Sequence, residues 1–202
     1  MKIAIVGATG NVGQRLIAEA VNRGHDVTAI ARDVTKLAQQ SNVTPVQADL
    51  ADKAAIASAV EGADAVILSV RFQDLDFDAA LDALRNAKRL LIVGGAASLN
   101  VAPGVVMLDT PDFPDFIKPE ATPARAALDH IKSHAGELDW TFLSPSVFFG
   151  PGERTGSFRL GKDDLLTAAD GKSHISYEDY AVALLDEIVI PKHSRQRFTV
   201  GY

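Results

Sequence analysis

Cysteine is missing from all 202 residues, which excludes disulfide bridges and thiol catalysis and makes the cytoplasm the expected compartment. No apolar run approaches a membrane span. Met1-Lys2 leads directly into the first expected strand, so no signal peptide is expected. A basic block is lacking too. The net charge is −6 and the pI near 5.3, so nucleic acid is not expected as a partner, although a local anion site is compatible with that balance. There is no internal repeat, no low-complexity tract and no linker that would divide the chain. With 47% hydrophobic and 23% charged residues, the composition is that of an ordinary globular protein, and residues 1–202 are expected to form one domain.

What the chain does have is concentrated at its start. Ile3 to Val6 is an apolar run of strand length. Gly7, Gly10 and Gly13 follow, and then apolar residues at helical spacing: Val12, Leu16, Ile17 and Ala20. Strand, glycine turn and helix together open a dinucleotide-binding βαβ unit. Gly7 lets the chain turn off the strand, Gly10 lets backbone approach a pyrophosphate, and Gly13 brings the helix close to the sheet. The spacing is G-x-x-G-x-x-G, and the residues expected to hold the phosphates are Gly7, Thr9, Gly10, Asn11, Val12 and Gly13. The helix amino terminus offers them unpaired N–H groups and a positive dipole end.

Strands and helices then alternate. Strands are expected at 26–31, 43–48, 63–70, 89–93, 138–143 and 196–200, and Pro45 suggests an edge position for the third. Helices are expected from Arg32-Asp33-Val34-Thr35 through Gln39, from Asp52 to about Val60, from Asp78 to Ala87, from Thr122-Pro123 to Ala135, and from Ser176 to about Ile190. Continuous apolar strands separated by helices imply a Rossmann-type, doubly wound α/β fold with a mostly parallel sheet in the order 3-2-1-4-5-6. Residues 98–119, with four prolines, break the rhythm and read as a structureless functional connection such as a lid. The segments 98–119 and 145–172 are the expected substrate-side elements.

Arg32 stands 19 residues beyond Gly13, at the end of the second strand, where an acidic residue would accept the ribose 2′-hydroxyl of NAD. An arginine suits a 2′-phosphate instead, which favours NADP(H) over NAD(H). Ligands of such sheets collect at the carboxyl ends of the strands. Asp49 and Leu50 are therefore expected to flank adenine. Ser69, Val70 and Arg71 should follow the pyrophosphate and second ribose, while Gly94 and Pro145 approach nicotinamide.

The glycine turn, the strand end Ala31-Arg32-Asp33, Leu143-Ser144-Pro145, Phe149-Gly150-Pro151-Gly152-Glu153-Arg154-Thr155-Gly156 and Ile175-Ser176-Tyr177-Glu178-Asp179-Tyr180-Ala181 together carry a resemblance. So does the tail, Arg195 to Val200. The chain resembles atypical short-chain dehydrogenase/reductases with a shortened NAD(P)-binding fold, within them the bacterial NADH-flavin reductase group and, more distantly, the biliverdin reductase B/flavin reductase family. The superfamily's Y-x-x-x-K pair is absent. Tyr177, Tyr180 and Tyr202 all lack a lysine four residues on, and Phe116-Ile117-Lys118-Pro119-Glu120 stands where the catalytic helix should begin. The serine and histidine of bilin chemistry are also missing, with Ala96, Ala97 and Val147 near those positions. Alcohol oxidation and sugar epimerisation need a proton donor or acceptor on the reacting oxygen, so both are disfavoured, and no catalytic acid or base is assigned.

Hydride transfer to a flavin or quinone-like acceptor survives that loss, because it needs mainly stacking and exclusion of alternatives. The resemblance thus implies an NADPH-dependent oxidoreductase acting on a small-molecule acceptor, with flavin a substrate and not a bound cofactor. The alternative is a redox sensor that binds NADP(H) without turnover and switches through 98–119. Phe148 and Phe149 are candidates for an aromatic wall, Arg154 and Arg159 for an anionic acceptor, and Arg71 and Ser98 for contacts at the nicotinamide end. His130 and His134 are four apart without a third ligand, so no metal is expected. Asp74, Asp76, Asp78 and Asp82 read as a solvated helix start.

Overall fold

A computed structural model describes all residues, Met1–Tyr202. Its centre is a sheet of eight strands: β1 (Lys2–Val6), β2 (Asp26–Ala31), β3 (Val43–Gln47), β4 (Ala65–Leu68), β5 (Leu90–Val93), β6 (Trp140–Ser144), β7 (Arg159–Gly161) and β8 (Gln196–Gly201). The order across it is 7-8-6-5-4-1-2-3. All neighbours are parallel except β7, which runs antiparallel to β8. Six strands therefore stand in the expected order. β8 extends them beyond β6, and β7 emerges from the polar stretch after Gly152, whose composition gave no strand signal.

Both faces of the sheet are covered, and the strand residues divide accordingly. On β1, Ile3 and Ile5 enter one core while Ala4 and Val6 enter the other. Helices α1 (Asn11–Asn22) and α5 (Tyr177–Val189) cover the first face; α2 (Lys53–Ala59), α3 (Phe77–Ala83) and α4 (Lys118–His134) cover the second. The two cores hold 23 and 21 buried residues. Neither face dominates, which is why the central strands read as unbroken apolar runs without alternation.

Local chemistry sets most helix starts. Asp52 and Asp76 accept from the N–H groups of Ala55 and Ala79, and Ser176 accepts from Asp179. The helix expected after Arg32 is only a 3₁₀ turn, Val34–Lys36, started by Asp33. Helix α4 begins at Lys118, four residues before the Thr122 start expected from a cap followed by Pro123. Pro119 already occupies its first turn, with Glu120 beside it, a favourable pairing for a helix amino terminus. Pro123 lies inside the helix, where its absent N–H would have met the Pro119 carbonyl.

The segment 98–119 is not structureless. It holds a hairpin of Asn100–Ala102 with Val105–Val106, and 3₁₀ turns at Met107–Asp109 and Asp115–Ile117. Phe113 packs with Ala97 and Ala121, and Arg125 of α4 pairs with Asp109 at 2.7 Å. Four prolines fragment the segment into short pieces, which Phe113 and Asp109 anchor to α4 and its surroundings.

Candidate nucleotide-binding site

The Gly7–Gly13 turn is shaped by steric necessity at two of its glycines. Gly7 has φ +86°, and a Cβ there would fall 2.0 Å from the Ser69 carbonyl oxygen at the end of β4. At Gly13 a Cβ would lie 2.3 Å from the Gly7 carbonyl oxygen. Gly13 thus lets the helix close on the turn itself, a shorter reach than the sheet contact expected of it. The amides of Gly7 and Ala8 both donate to the Ile30 carbonyl, and the first helical bond runs from Gln14 to Gly10. Asn11, Val12 and Gly13 lie between, at a helix start with no side-chain cap, and their N–H groups have no acceptor within the chain. Three adjacent bare donors at the positive end of a helix make an anion seat.

Beside this turn lies a hollow of about 550 Å³ at the carboxyl ends of β1, β2 and β4. Nine of the sequence-predicted nucleotide residues meet there or on its rim: Gly7, Thr9, Gly10, Arg32, Asp49, Leu50, Ser69, Val70 and Arg71. Asn11, Val12 and Gly13 adjoin it through the first turn of α1. Arg32 is exposed and has no hydrogen bond or ion pair to the rest of the chain. Lys36 also borders the hollow, a residue sequence reasoning missed. The signal was available as a second cation four positions after Arg32. Asp33, between them, is turned to its own backbone: Thr35 donates its hydroxyl at 2.5 Å and its N–H at 3.0 Å. The Thr35 bonds, aided by Lys36 at 3.7 Å, hold the Asp33 carboxyl below its ordinary pKa.

Gly94 and Pro145 do not border the hollow. Gly94 lacks a side chain for a packing reason, since a Cβ there would lie 2.0 Å from the Phe142 ring. Pro145 is buried. Three of the acceptor candidates are already engaged within the chain. Arg154 forms a two-pronged pair with Glu19 of α1, at 2.7 and 2.8 Å, and Arg23 reaches the same carboxylate at 2.7 Å. Glu19 is 4% exposed, and its pKa is lowered, the Arg154 bond outweighing the cost of burial. Arg159 donates to the carbonyls of Thr167 and Tyr202. Ser98 accepts from the buried Arg197, itself paired with Asp163. The corrections at Arg154, Arg159 and Ser98 share one cause: a side chain's partner within the fold decides whether it is free.

The aromatic pair divides. Phe149 is partly buried with its ring 4.7 Å from those of both Tyr177 and Tyr180. Phe148 is 67% exposed, and both residues border a second, shallow hollow of about 500 Å³ with Pro151, Glu153, His174 and Tyr202. The Gly150–Gly156 stretch in between is pinned by carboxylates of α5. Glu178 accepts from the Gly152 N–H and from Arg15, while Asp179 accepts from Thr155 and the Gly156 N–H. No tyrosine borders the nucleotide hollow. Tyr180 is fully buried and donates to the Leu143 carbonyl, and burial raises its pKa well above the ordinary value. The Tyr202 hydroxyl donates to Asp179 at 2.7 Å and lies 2.8 Å from the Ser176 hydroxyl.

Elsewhere, His130 pairs with Asp78 at 3.0 Å and stacks on His134. Asp82 pairs with Lys53 and Arg85. These acidic residues at α3 therefore serve as partners and, at Asp76, as a cap. No helix is long and apolar enough to cross a membrane.

A family profile described as NAD(P)H-binding matches residues 7–189. Several solved structures align along the whole chain, among them the following three. A protein from Burkholderia pseudomallei whose name suggests export is 42% identical, covers 100% of both chains and has a TM-score of 0.89. A proposed epimerase from Bacteroides thetaiotaomicron is 38% identical over 100% of this chain and 96% of its own, with a TM-score of 0.94. A proposed NADH-flavin reductase from Streptococcus pneumoniae TIGR4 is 34% identical over 100% and 99%, with a TM-score of 0.88.

Proposed function

Given that the chain belongs to the NAD(P)H-binding family, we propose that it is an NADPH-dependent oxidoreductase that reduces a flavin or quinone-like acceptor. One observation carries this reading. The hollow beside the glycine turn is equipped for a dinucleotide, yet none of the three tyrosines borders it and none is followed by the lysine of a proton-transfer pair. Reactions at an alcohol or carbonyl oxygen need that pair or a substitute. Transfer to a conjugated ring system does not.

The residues fit the nucleotide in kind. The free amides of Asn11, Val12 and Gly13 suit a pyrophosphate, and Arg32 with Lys36 suits a 2′-phosphate. Asp33, which would compete for a ribose 2′-hydroxyl, is held by Thr35. NADP(H) is therefore preferred to NAD(H) in this reading, with Asp49 and Leu50 flanking the base. When bound, the reduced nicotinamide supplies the hydride. The chain's own part is to orient that ring at the strand ends and to offer a planar acceptor the exposed face of Phe148. The proton that completes acceptor reduction comes from water.

The Streptococcus neighbour's name agrees with this reading, whereas the Bacteroides neighbour's name points to epimerisation, for which the missing acid/base pair is a difficulty. Steady-state NADPH oxidation with FMN, riboflavin and small quinones tests the proposal. Turnover with at least one acceptor, faster with NADPH than with NADH, is the expected result. Tight NADPH binding without turnover of any acceptor would replace the enzyme by a redox sensor.

A further inference from the structure

Between the end of β4 and the start of α3, residues 69–76 form an irregular loop that supplies a whole wall of the nucleotide hollow: Ser69, Val70, Arg71, Gln73, Asp74 and Leu75. Its ends are fixed by the sheet on one side and the helix on the other. The Ser69 N–H donates to the Val6 carbonyl at 2.8 Å, and Asp76 caps α3. Its middle is fixed from elsewhere. Phe72 turns its ring into the core, and two consecutive amides, Phe72 and Gln73, point at one carboxylate. That carboxylate is Glu120, 47 and 48 residues away in sequence. Oε1 accepts from Phe72 at 2.8 Å and Oε2 from Gln73 at 2.9 Å.

We propose that Glu120 is a positioning residue for the nucleotide, gripping the loop by both oxygens so that the wall from Ser69 to Leu75 is set before the ligand arrives. The chemistry favours a carboxylate in particular. Successive N–H groups in a turn form a small anion-binding concavity, and bonds to a charged acceptor are roughly twice as strong as neutral ones. Glu120 occupies the third position of α4, from which such a side chain commonly reaches back to its own helix. Here α4 has no side-chain cap, and the carboxylate reaches across to the loop instead. The same group stands 3.7 Å from Arg71 Nε, a loose pair with Arg71 81% exposed. The remaining guanidinium nitrogens of Arg71 stay available at the rim of the hollow. Glu120 therefore works through the loop backbone, and touches neither the hollow nor anything in it.

This inference needs only that the chain binds a pyridine nucleotide, whatever the acceptor. Calorimetric titration of NADPH into wild-type protein, Glu120→Ala and Glu120→Gln tests it, with thermal unfolding of each measured alongside. Glu120→Ala should bind NADPH about tenfold more weakly, because the wall then has to be ordered at the expense of binding. Glu120→Gln keeps one acceptor oxygen and should fall between, at about threefold. The two variants also separate clamp from charge: if Glu120 acted only by drawing Arg71 away from phosphate, both would bind more tightly. Unchanged or tighter binding in Glu120→Gln, or in a folded Glu120→Ala, overturns the proposal, as does a fall in Tm with no change in affinity. Absence of binding in the wild type would overturn the nucleotide reading as well. Wild-type binding with unaltered variants would overturn this inference alone.

Discussion

Arg32 and Arg154 invite related readings in sequence, each a cation expected to meet an anionic group of a ligand, a 2′-phosphate for the first and an acceptor for the second. In the folded chain they have opposite situations. Arg32 stands in the amino-terminal half, exposed and unpartnered, with Lys36 on the same hollow. Arg154 lies in the carboxyl-terminal half, tied by two bonds to a carboxylate that is 4% exposed. The contrast extends to their surroundings. Around the first glycine turn, backbone donors are left bare; around Gly150–Gly156, carboxylates take up the donors. One half keeps its polar groups for a ligand, whereas the other spends them on holding its own loop to α1 and α5.

The sharpest way to break the comparison is at Gly7. Gly7→Val forces a β-branched side chain to φ +86° and into the Ser69 carbonyl. A loss of roughly 3 kcal/mol or more is expected, on the order of 10 °C in Tm, together with loss of NADPH binding. Thermal unfolding and calorimetry measure the two effects. Retention of both would mean that the turn is not the seat of the phosphates.

Exchanging the roles of the two arginines is the next test. Arg32→Ala should weaken NADPH binding by about 10- to 100-fold, the worth of a charge-assisted contact, with NADH binding and Tm unchanged. Arg154→Ala should do the reverse: a loss of about 1–2 kcal/mol, reduced because Arg154 is half exposed, with the NADPH-to-NADH affinity ratio intact. If Arg154→Ala alters that ratio, the division between the two halves is wrong.

Acidity should erode one half's stabilisation through Glu19. Its folded pKa is depressed below the ordinary 4.5, chiefly by Arg154. The stabilisation is therefore fully present above the unfolded value and lost as pH falls through the lower folded one. The Tm difference between wild type and Arg154→Ala should stay constant from neutrality down to about pH 5 and then shrink. A gap that persists at about pH 2 would show that it reflects packing rather than charge.

Phe148→Ala carries the smallest expected effect on stability, less than about 0.5 kcal/mol for an exposed ring. The KM of an accepted flavin or quinone should nevertheless rise roughly three- to tenfold. Phe149→Ala should cost about 2 kcal/mol, since its ring packs against Tyr177 and Tyr180. Equal effects from the two substitutions on acceptor KM would blur the line between wall and core.

Much of the architecture was legible because it rests on local pattern. Apolar runs, the glycine turn and the Asp or Ser caps each act over a few residues, and they placed seven of the eight strands and the first half of the nucleotide hollow. Strand β7 was not legible, since Arg159-Leu160-Gly161 has no alternation and owes its conformation to β8. The anchoring of 98–119 escaped notice for a related reason: its prolines announce breaks, but the contacts of Phe113 and Asp109 are tertiary. Lys36 was passed over although it stands four positions after Arg32, a spacing that sets both on one side of a helical turn. Glu120 was noted only as standing where a catalytic helix should begin; its partners lie almost 50 residues earlier.

The two outer strands bear on how copies of the protein meet. β3 presents Pro45, which has no hydrogen to donate to a further strand, and β7 at the opposite margin is three residues long. Growth of the sheet by lateral addition is thereby discouraged on both sides. Self-association of this molecule is therefore expected to use helices or loops in preference to the margins of the central sheet.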